Sequence, residues 1–314
     1  MADTAPLVIV GTGLAGYNLA KEFRKLDSQR PMLLVSADDG RFYSKPLLST
    51  GFAKGKEADE LAMQDASAMA AQLGAEVLTG VSVSAIDPAA RTLTLGDRQQ
   101  AYSDLVLALG AEVRALPWRE QLGERLLSIN DLTDYGRFRA ALAGRKKVLI
   151  IGAGLIGCEF ANDLSLGGFE VTVVATDPWL MPQLLPEPVA AAVQRRLEAL
   201  GVTFHLGCGI RELAASENAL LALLDDGSEV HADQGLSAIG LAPRTDLAAG
   251  AGLSVGRGVR VDAQLRSSDP HIYALGDCAE VAGLNLMYVM PLMTSARSAG
   301  GARIAGWSGG GGIQ

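Results

Sequence analysis

Two stretches of this 314-residue chain carry residue types spaced for chemistry on phosphates. The first is Gly11-Thr12-Gly13-Leu14-Ala15-Gly16 and the second is Gly152-Ala153-Gly154-Leu155-Ile156-Gly157. Both hold glycines in the G-x-G-x-x-G phase, which suits a strand turning sharply into a helix. The first glycine permits the tight turn, and the second leaves no Cβ between the backbone and a pyrophosphate. The third lets the helix pack close on the strand. The helix N-terminus then turns N–H groups and a positive dipole end toward the phosphates. One such match fits an ordinary glycine-rich turn about as well. Two matches, each between a strand pattern and a helix pattern, predict two dinucleotide-binding units.

Other chemistry is poorly supplied. Cys158, Cys208 and Cys278 stand far apart and form no C-x-x-C, so a redox dithiol is not expected. His205, His231 and His271 lack metal-ligand spacing, and no metal site is expected. The net charge of −8, with no long basic run, argues against a nucleic-acid partner. No apolar run approaches about 18 residues and no secretory leader pattern opens the chain. The expectation is a cytoplasmic protein without a membrane span.

The glycine turns need strands before them and helices after them. Leu7 to Val10 is a buried strand pattern, and a helical pattern through Tyr17, Ala20 and Phe23 follows the first turn. Pro31 to Val35 is a second strand, and Asp38 lies close to where a carboxylate accepts from ribose hydroxyls. The alternative is an Asp that only shapes the turn beside Gly40. Around the second turn, Val148 to Ile151 and Val171 to Val174 are strands and Cys158 to Leu166 is a helix. At the end of that last strand, where an acid usually stands, there is Ala175. Asp177 follows two residues on, and no arginine comes soon after to grip a 2′-phosphate. A 2′-phosphorylated dinucleotide is not expected on the second turn.

Between and beyond these, Glu76 to Leu78, Val81 to Val83, Leu105 to Leu109, Thr203 to Leu206 and Val259 to Val261 are strand patterns. Hairpins are expected at Gly96-Asp97 and at Asp225-Asp226-Gly227. Trp118 to Ala143 reads as mostly helical, with Asp131 and Asp134 suited to its start. The fold class is α/β, with two Rossmann-like dinucleotide-binding domains built on central parallel sheets. The second domain (111–235) is expected as an insertion into the first (1–110 and 236–297), with an irregular Gly-rich tail at 298–314.

The order of GTGLAG, LALG, GAGLIGCE, AIGLAPRT and IYALGDCAE resembles the FAD-dependent pyridine nucleotide reductases, across roughly residues 5 to 297. The YSKPLLS and LIGCEFANDL segments are most similar to the rubredoxin reductases of bacterial alkane oxidation. The resemblance implies FAD on the first glycine loop and NAD(H) on the second. Asp277 would hydrogen-bond the flavin ribityl chain. Lys45 would lie beside the isoalloxazine and pair with Glu159, both orienting the ring; buried charges stay ionised when paired. The plainer alternative is a surface lysine and a helix-start glutamate.

Val83 would touch the adenine through its backbone and Val289 would sit near the pyrimidine ring. Gly240 of AIGLAPRT counts among the cofactor-binding residues. The chain departs from the family at Ala108-Leu109-Gly110, where A-T-G is common, and no pattern of the family's third, flavin-covering domain follows Leu292. The activity implied is electron transfer from NADH through FAD to rubredoxin or a similar iron–sulfur carrier. Two other readings stay open: an NADH oxidase, and a nucleotide-binding chain without productive turnover.

Overall fold

Short aliphatic runs buried on both faces are what a parallel sheet covered by helices requires. The computed structural model describes residues 5–216 and 219–296, and places such runs at the centre of two compact units. The first unit is Met1–Tyr43, Met63–Glu112 and Ala242–Gln314. At its centre Leu7–Val10, fully buried, pairs in parallel with Met32–Val35 on one side and Asp104–Leu107 on the other. Glu76–Leu78 and Ile272–Ala274 complete the five strands at the two edges. Helix Leu14–Leu26 turns Tyr17, Leu19, Ala20 and Phe23 into the same core. A separate antiparallel meander joins Val83–Asp87, Thr92–Leu95 and Arg98–Ala101.

The second unit, Ser44–Ala62 and Val113–Leu241, repeats the plan. Lys147–Ile151 lies between Glu170–Ala175 and Gln234–Ser237, with Thr203–Leu206 and Leu126–Leu127 at the edges, all parallel. Helix Leu155–Leu166 follows the central strand, burying Phe160, Ala161 and Leu164. A second meander joins Ile210–Ala215, Leu220–Leu224 and Glu229–Ala232.

Several bounds differ from those expected. Trp118 to Ala143 is not one helical stretch: a turn at Arg119–Leu122 precedes the edge strand Leu126–Leu127, and the helix runs from Leu132 to Ala141. Asp131 is its N-cap, accepting from Asp134 N at 2.8 Å. The strand expected at Val81 begins at Val83. Residues 236–241 belong to the second unit, where Leu236 and Ser237 pair with Ile150 and Ile151. Residues 44–62 also belong there, since the Lys45–Thr50 turn packs on helix Leu155–Leu166. The expected tail at 298–314 lies outside the described residues.

Candidate cofactor sites

Each central strand ends one residue before its glycine turn. Gly11 has φ +110° and Gly152 φ +113°, a region open to glycine and strained for other residues. A Cβ on Gly11 would strike the Ala108 carbonyl, and one on Gly152 the Ala238 carbonyl. A Cβ on Gly16 would overlap the Gly11 carbonyl oxygen, and one on Gly157 that of Gly152. The protein's own backbone therefore demands the first and third glycines.

The middle glycines differ. Gly13 (φ −67°, ψ −172°) and Gly154 (φ −72°, ψ −177°) have backbones any residue adopts, and a Cβ there would meet nothing within 4 Å. Neither strain nor packing explains glycine at these positions. What remains is a ligand that occupies the open space. Both helices that follow also lack a side-chain cap and an acid in the first turn, which leaves their positive ends to an outside anion.

In the first unit a relay of hydroxyls runs from the glycine turn to Asp38. Buried Thr12 donates to Ser36 Oγ at 2.7 Å, and Ser36 donates to Asp38 Oδ1 at 2.5 Å. Gly40 N also donates to Oδ1, at 2.9 Å. Asp38 thus shapes its turn with one oxygen, while Oδ2 takes no hydrogen bond from the described residues. The turn-forming and ribose-accepting readings are compatible. Gly80 N bonds Asp38 O at 2.8 Å and Val81 N bonds Ser36 O at 2.9 Å, which draws the chain leading to half-buried Val83 alongside. Leu14 is half-buried against the core and Ala15 is buried.

Asp277 reaches this first turn through its neighbour. Gly276 has φ +77°, and a Cβ on it would come within 2.8 Å of the Ala15 Cβ. Asn285 Nδ2 holds the turn by donating to Asp277 O at 2.9 Å. Val289, exposed, opens helix Val289–Ser295, whose buried Leu292 lies beside Gly276. The structure therefore gathers Gly11 to Gly16, Asp38, Val83, Asp277 and Val289 in one unit.

In the second unit Leu155 and Ile156 open the helix after the glycine turn, and Leu155 is exposed. Gly240 takes φ +103° and accepts from Arg114 N at 3.1 Å. Lys45 and Glu159, which the resemblance expects to pair, are both in this unit. Lys45 Nζ donates to Asn130 Oδ1 at 2.7 Å, and Glu159 Oε2 accepts from Ser49 Oγ at 2.8 Å. The Lys45–Thr50 turn carries both contacts, with Lys45 at its start and Ser49 near its end. One helical turn beyond Glu159, buried Asp163 accepts from Phe52 N and Ala53 N, each at 2.9 Å. Burial pushes the Asp163 carboxyl above its ordinary range, against the pull of those two N–H groups.

Comparison with known proteins follows the same lines. The sequence profile described as pyridine nucleotide-disulphide oxidoreductase matches residues 5–300. The chain belongs to that family. It is 53% identical over 294 residues to a rubredoxin-NAD(+) reductase of Alcanivorax borkumensis, spanning 93% of this chain and 77% of the relative. A rubredoxin-NAD(+) reductase of Acinetobacter baylyi is 41% identical over 301 residues, again 93% and 77%. Among solved structures, the covalent putidaredoxin reductase–putidaredoxin complex matches with TM-score 0.88 and 28% identity, covering 96% of this chain and 75% of that one.

As a pyridine nucleotide-disulphide oxidoreductase the protein uses FAD and NAD(H), and the open middle glycines fit both. Its thiols are not arranged as a reactive pair. All three cysteines are free; burial pushes the Cys158 thiol up to about 12 and the Cys278 thiol up to about 11. Among the described residues no helix is long and apolar enough to cross a membrane. Sequence reasoning missed Ser49, Asn130 and Asp163. Ser49 and Asp163 stand inside the two segments that carried the resemblance, but nothing local marks what they hold.

Proposed function

We propose that the protein takes electrons from NADH and delivers them to a small iron–sulfur carrier of the rubredoxin kind. The observation that carries this is the doubled turn, in which each middle glycine faces open space, in a chain 53% identical to a rubredoxin-NAD(+) reductase. Bound FAD supplies the conversion of a two-electron donor into single-electron delivery. The Gly11 to Gly16 turn and its helix end bind the FAD pyrophosphate, and Asp38 accepts from the ribose. Asp277 holds the ribityl chain, Val83 borders the adenine through its backbone, and Val289 borders the pyrimidine. Gly152, Gly154 and Gly157, with Leu155, Ile156 and Gly240, bind NAD(H).

Lys45 and Glu159 orient the reacting rings, with Asn130 and Ser49 fixing their side chains. Three separate, free cysteines offer no dithiol relay, so the carrier is reduced without a protein disulfide. The same thiols suit a reducing cytoplasm, and supply of electrons to alkane hydroxylation follows from the resemblance. The test is NADH-dependent reduction of rubredoxin, ferredoxin, a small disulfide and oxygen side by side. Rubredoxin reduced fastest supports the reading. Oxygen or the disulfide reduced fastest contradicts it.

A further inference from the structure

Helix Leu155–Leu166 opens from the second glycine turn and carries Glu159 and Asp163 one turn apart on the same face. Both carboxylates hold the segment that begins with the Lys45–Thr50 turn. Glu159 Oε2 accepts from Ser49 Oγ at 2.8 Å. Asp163, only 1% exposed, accepts from Phe52 N at Oδ2 and from Ala53 N at Oδ1, each at 2.9 Å. The later carboxylate takes the later residues, so the segment runs alongside the helix in the same direction. Lys45 heads it, at the end nearer the glycine turn. A single hydrogen bond would leave the segment free to pivot. Two attachments four residues apart, about 6 Å along the helix, also fix its direction. The second attachment places one oxygen on each of two successive peptides, which sets their orientation as well as their distance.

We infer that Asp163 is a positioning residue for the reacting site: by holding the Phe52 and Ala53 peptides it sets where the Lys45 ammonium stands. The inference rests on the proposed role of Lys45 at the reacting rings. Packing alone would anchor this stretch without any carboxylate. The Phe52 ring is buried, with centroids 5.0 Å from Tyr135 and 5.9 Å from Phe138. Tyr135 Oη donates to Lys56 O at 2.7 Å, and a Cβ on Gly51 would strike the Tyr135 hydroxyl. The backbone therefore already lies close on that ring. Burying a carboxylate beside such an anchor costs free energy that an apolar side chain would not. What the carboxylate adds is direction, because apolar contacts are non-directional and a two-peptide acceptor is not. Hydride transfer depends steeply on the placement of the groups around it, so a fixed course for the Lys45 segment has a use that packing does not supply.

The test compares FAD-loaded wild type with Asp163→Asn, Asp163→Glu, Lys45→Met and the double variant Asp163→Asn/Lys45→Met. Asp233→Asn serves as the control, since Asp233 accepts from Lys146 N and Lys147 N, each at 2.8 Å, between the starts of two strands. Retained flavin certifies each fold, and Asp163→Glu, which keeps the carboxylate on a longer arm, carries the test if the amide does not load. Flavin bleaching by saturating NADH is followed by anaerobic stopped flow, well below each variant's Tm. Both Asp163 variants should slow the limiting rate by roughly tenfold to a hundredfold, the scale on which small misplacements act. The half-saturating NADH concentration should stay nearly unchanged, because the glycine turn is intact. The double variant should be no slower than Lys45→Met alone, because Asp163 acts through the lysine. Asp233→Asn should lower Tm and keep the wild-type rate. In the flavin-free protein, amide exchange over residues 44–53 should quicken in Asp163→Asn and not in Asp233→Asn. Asp163 variants at the wild-type rate, beside a slowed Lys45→Met, overturn the inference and leave the role of Lys45 standing. Losses that multiply in the double variant overturn it too. A Lys45→Met protein at the wild-type rate overturns the reading of Lys45 together with the inference.

Discussion

The Ser49 hydroxyl donates to the Glu159 carboxylate at 2.8 Å, across 110 residues of sequence. That bond ties the segment carrying Lys45 to the helix rising from the second glycine turn. Ser49→Ala should cost about 1.5–3 kcal/mol, as for a part-buried bond to a charged group. A double-mutant cycle on denaturant unfolding checks the partnership. Ser49→Ala with Glu159→Gln should show a coupling of about 0.5–3 kcal/mol. Strictly additive losses would contradict the partnership.

Asp163 makes the second tie and should set a pH dependence. Its folded carboxyl lies above the ordinary 3.8, with burial the largest cause. The fold therefore holds this proton more tightly than the unfolded chain does. Its contribution is full below about pH 4 and declines as pH rises through the raised value. Asp163→Asn has no such titration and presents a donor to one backbone N–H, so it should be less stable throughout. The wild-type advantage in Tm should be largest at the acid end and shrink toward neutrality. An advantage that grows with pH would contradict the assignment.

The glycines separate folding from binding. Gly13→Val should leave the thermal stability of the flavin-free protein nearly unchanged while abolishing FAD retention, since its Cβ enters open space. Gly154→Val should do the same for NADH binding. Gly11→Ala should instead destabilise the flavin-free protein itself, because it forces a Cβ at φ +110° against the Ala108 carbonyl. Calorimetric Tm and flavin content after gel filtration distinguish the two classes. A yellow, fully loaded Gly13→Val protein would refute the reading of the open position.

These contrasts also explain what was legible in the sequence. The glycine turns announce themselves because backbone constraints at Gly11, Gly16, Gly152 and Gly157 admit one residue type, and strands such as Leu7–Val10 are uniformly apolar. Leu126–Leu127 is too short to show a period, so the stretch around it resembled a helix. Ser49, Asn130 and Asp163 act on partners some 85 to 111 residues away, and no local spacing records such contacts.

Thiol chemistry gives a further check. With Cys158 and Cys278 buried and their thiols raised, iodoacetamide at mildly alkaline pH should label half-buried Cys208 and spare the other two. NADH-dependent turnover should survive the treatment. Mass spectrometry of the alkylated native protein reads the sites directly. Loss of turnover in step with labelling of Cys158 would point to a thiol in the reaction.

The central claim is that electrons pass from NADH to an iron–sulfur carrier through this one chain. Anaerobic stopped-flow spectroscopy of the FAD-loaded protein tests it most directly, with NADH mixed first and oxidised rubredoxin second. The account predicts bleaching of the flavin absorbance on the first mixing. On the second, the absorbance should return in step with rubredoxin reduction, faster than on mixing with air-saturated buffer. Flavin that does not bleach with NADH, or that bleaches and is reoxidised by oxygen but not by rubredoxin, would contradict it.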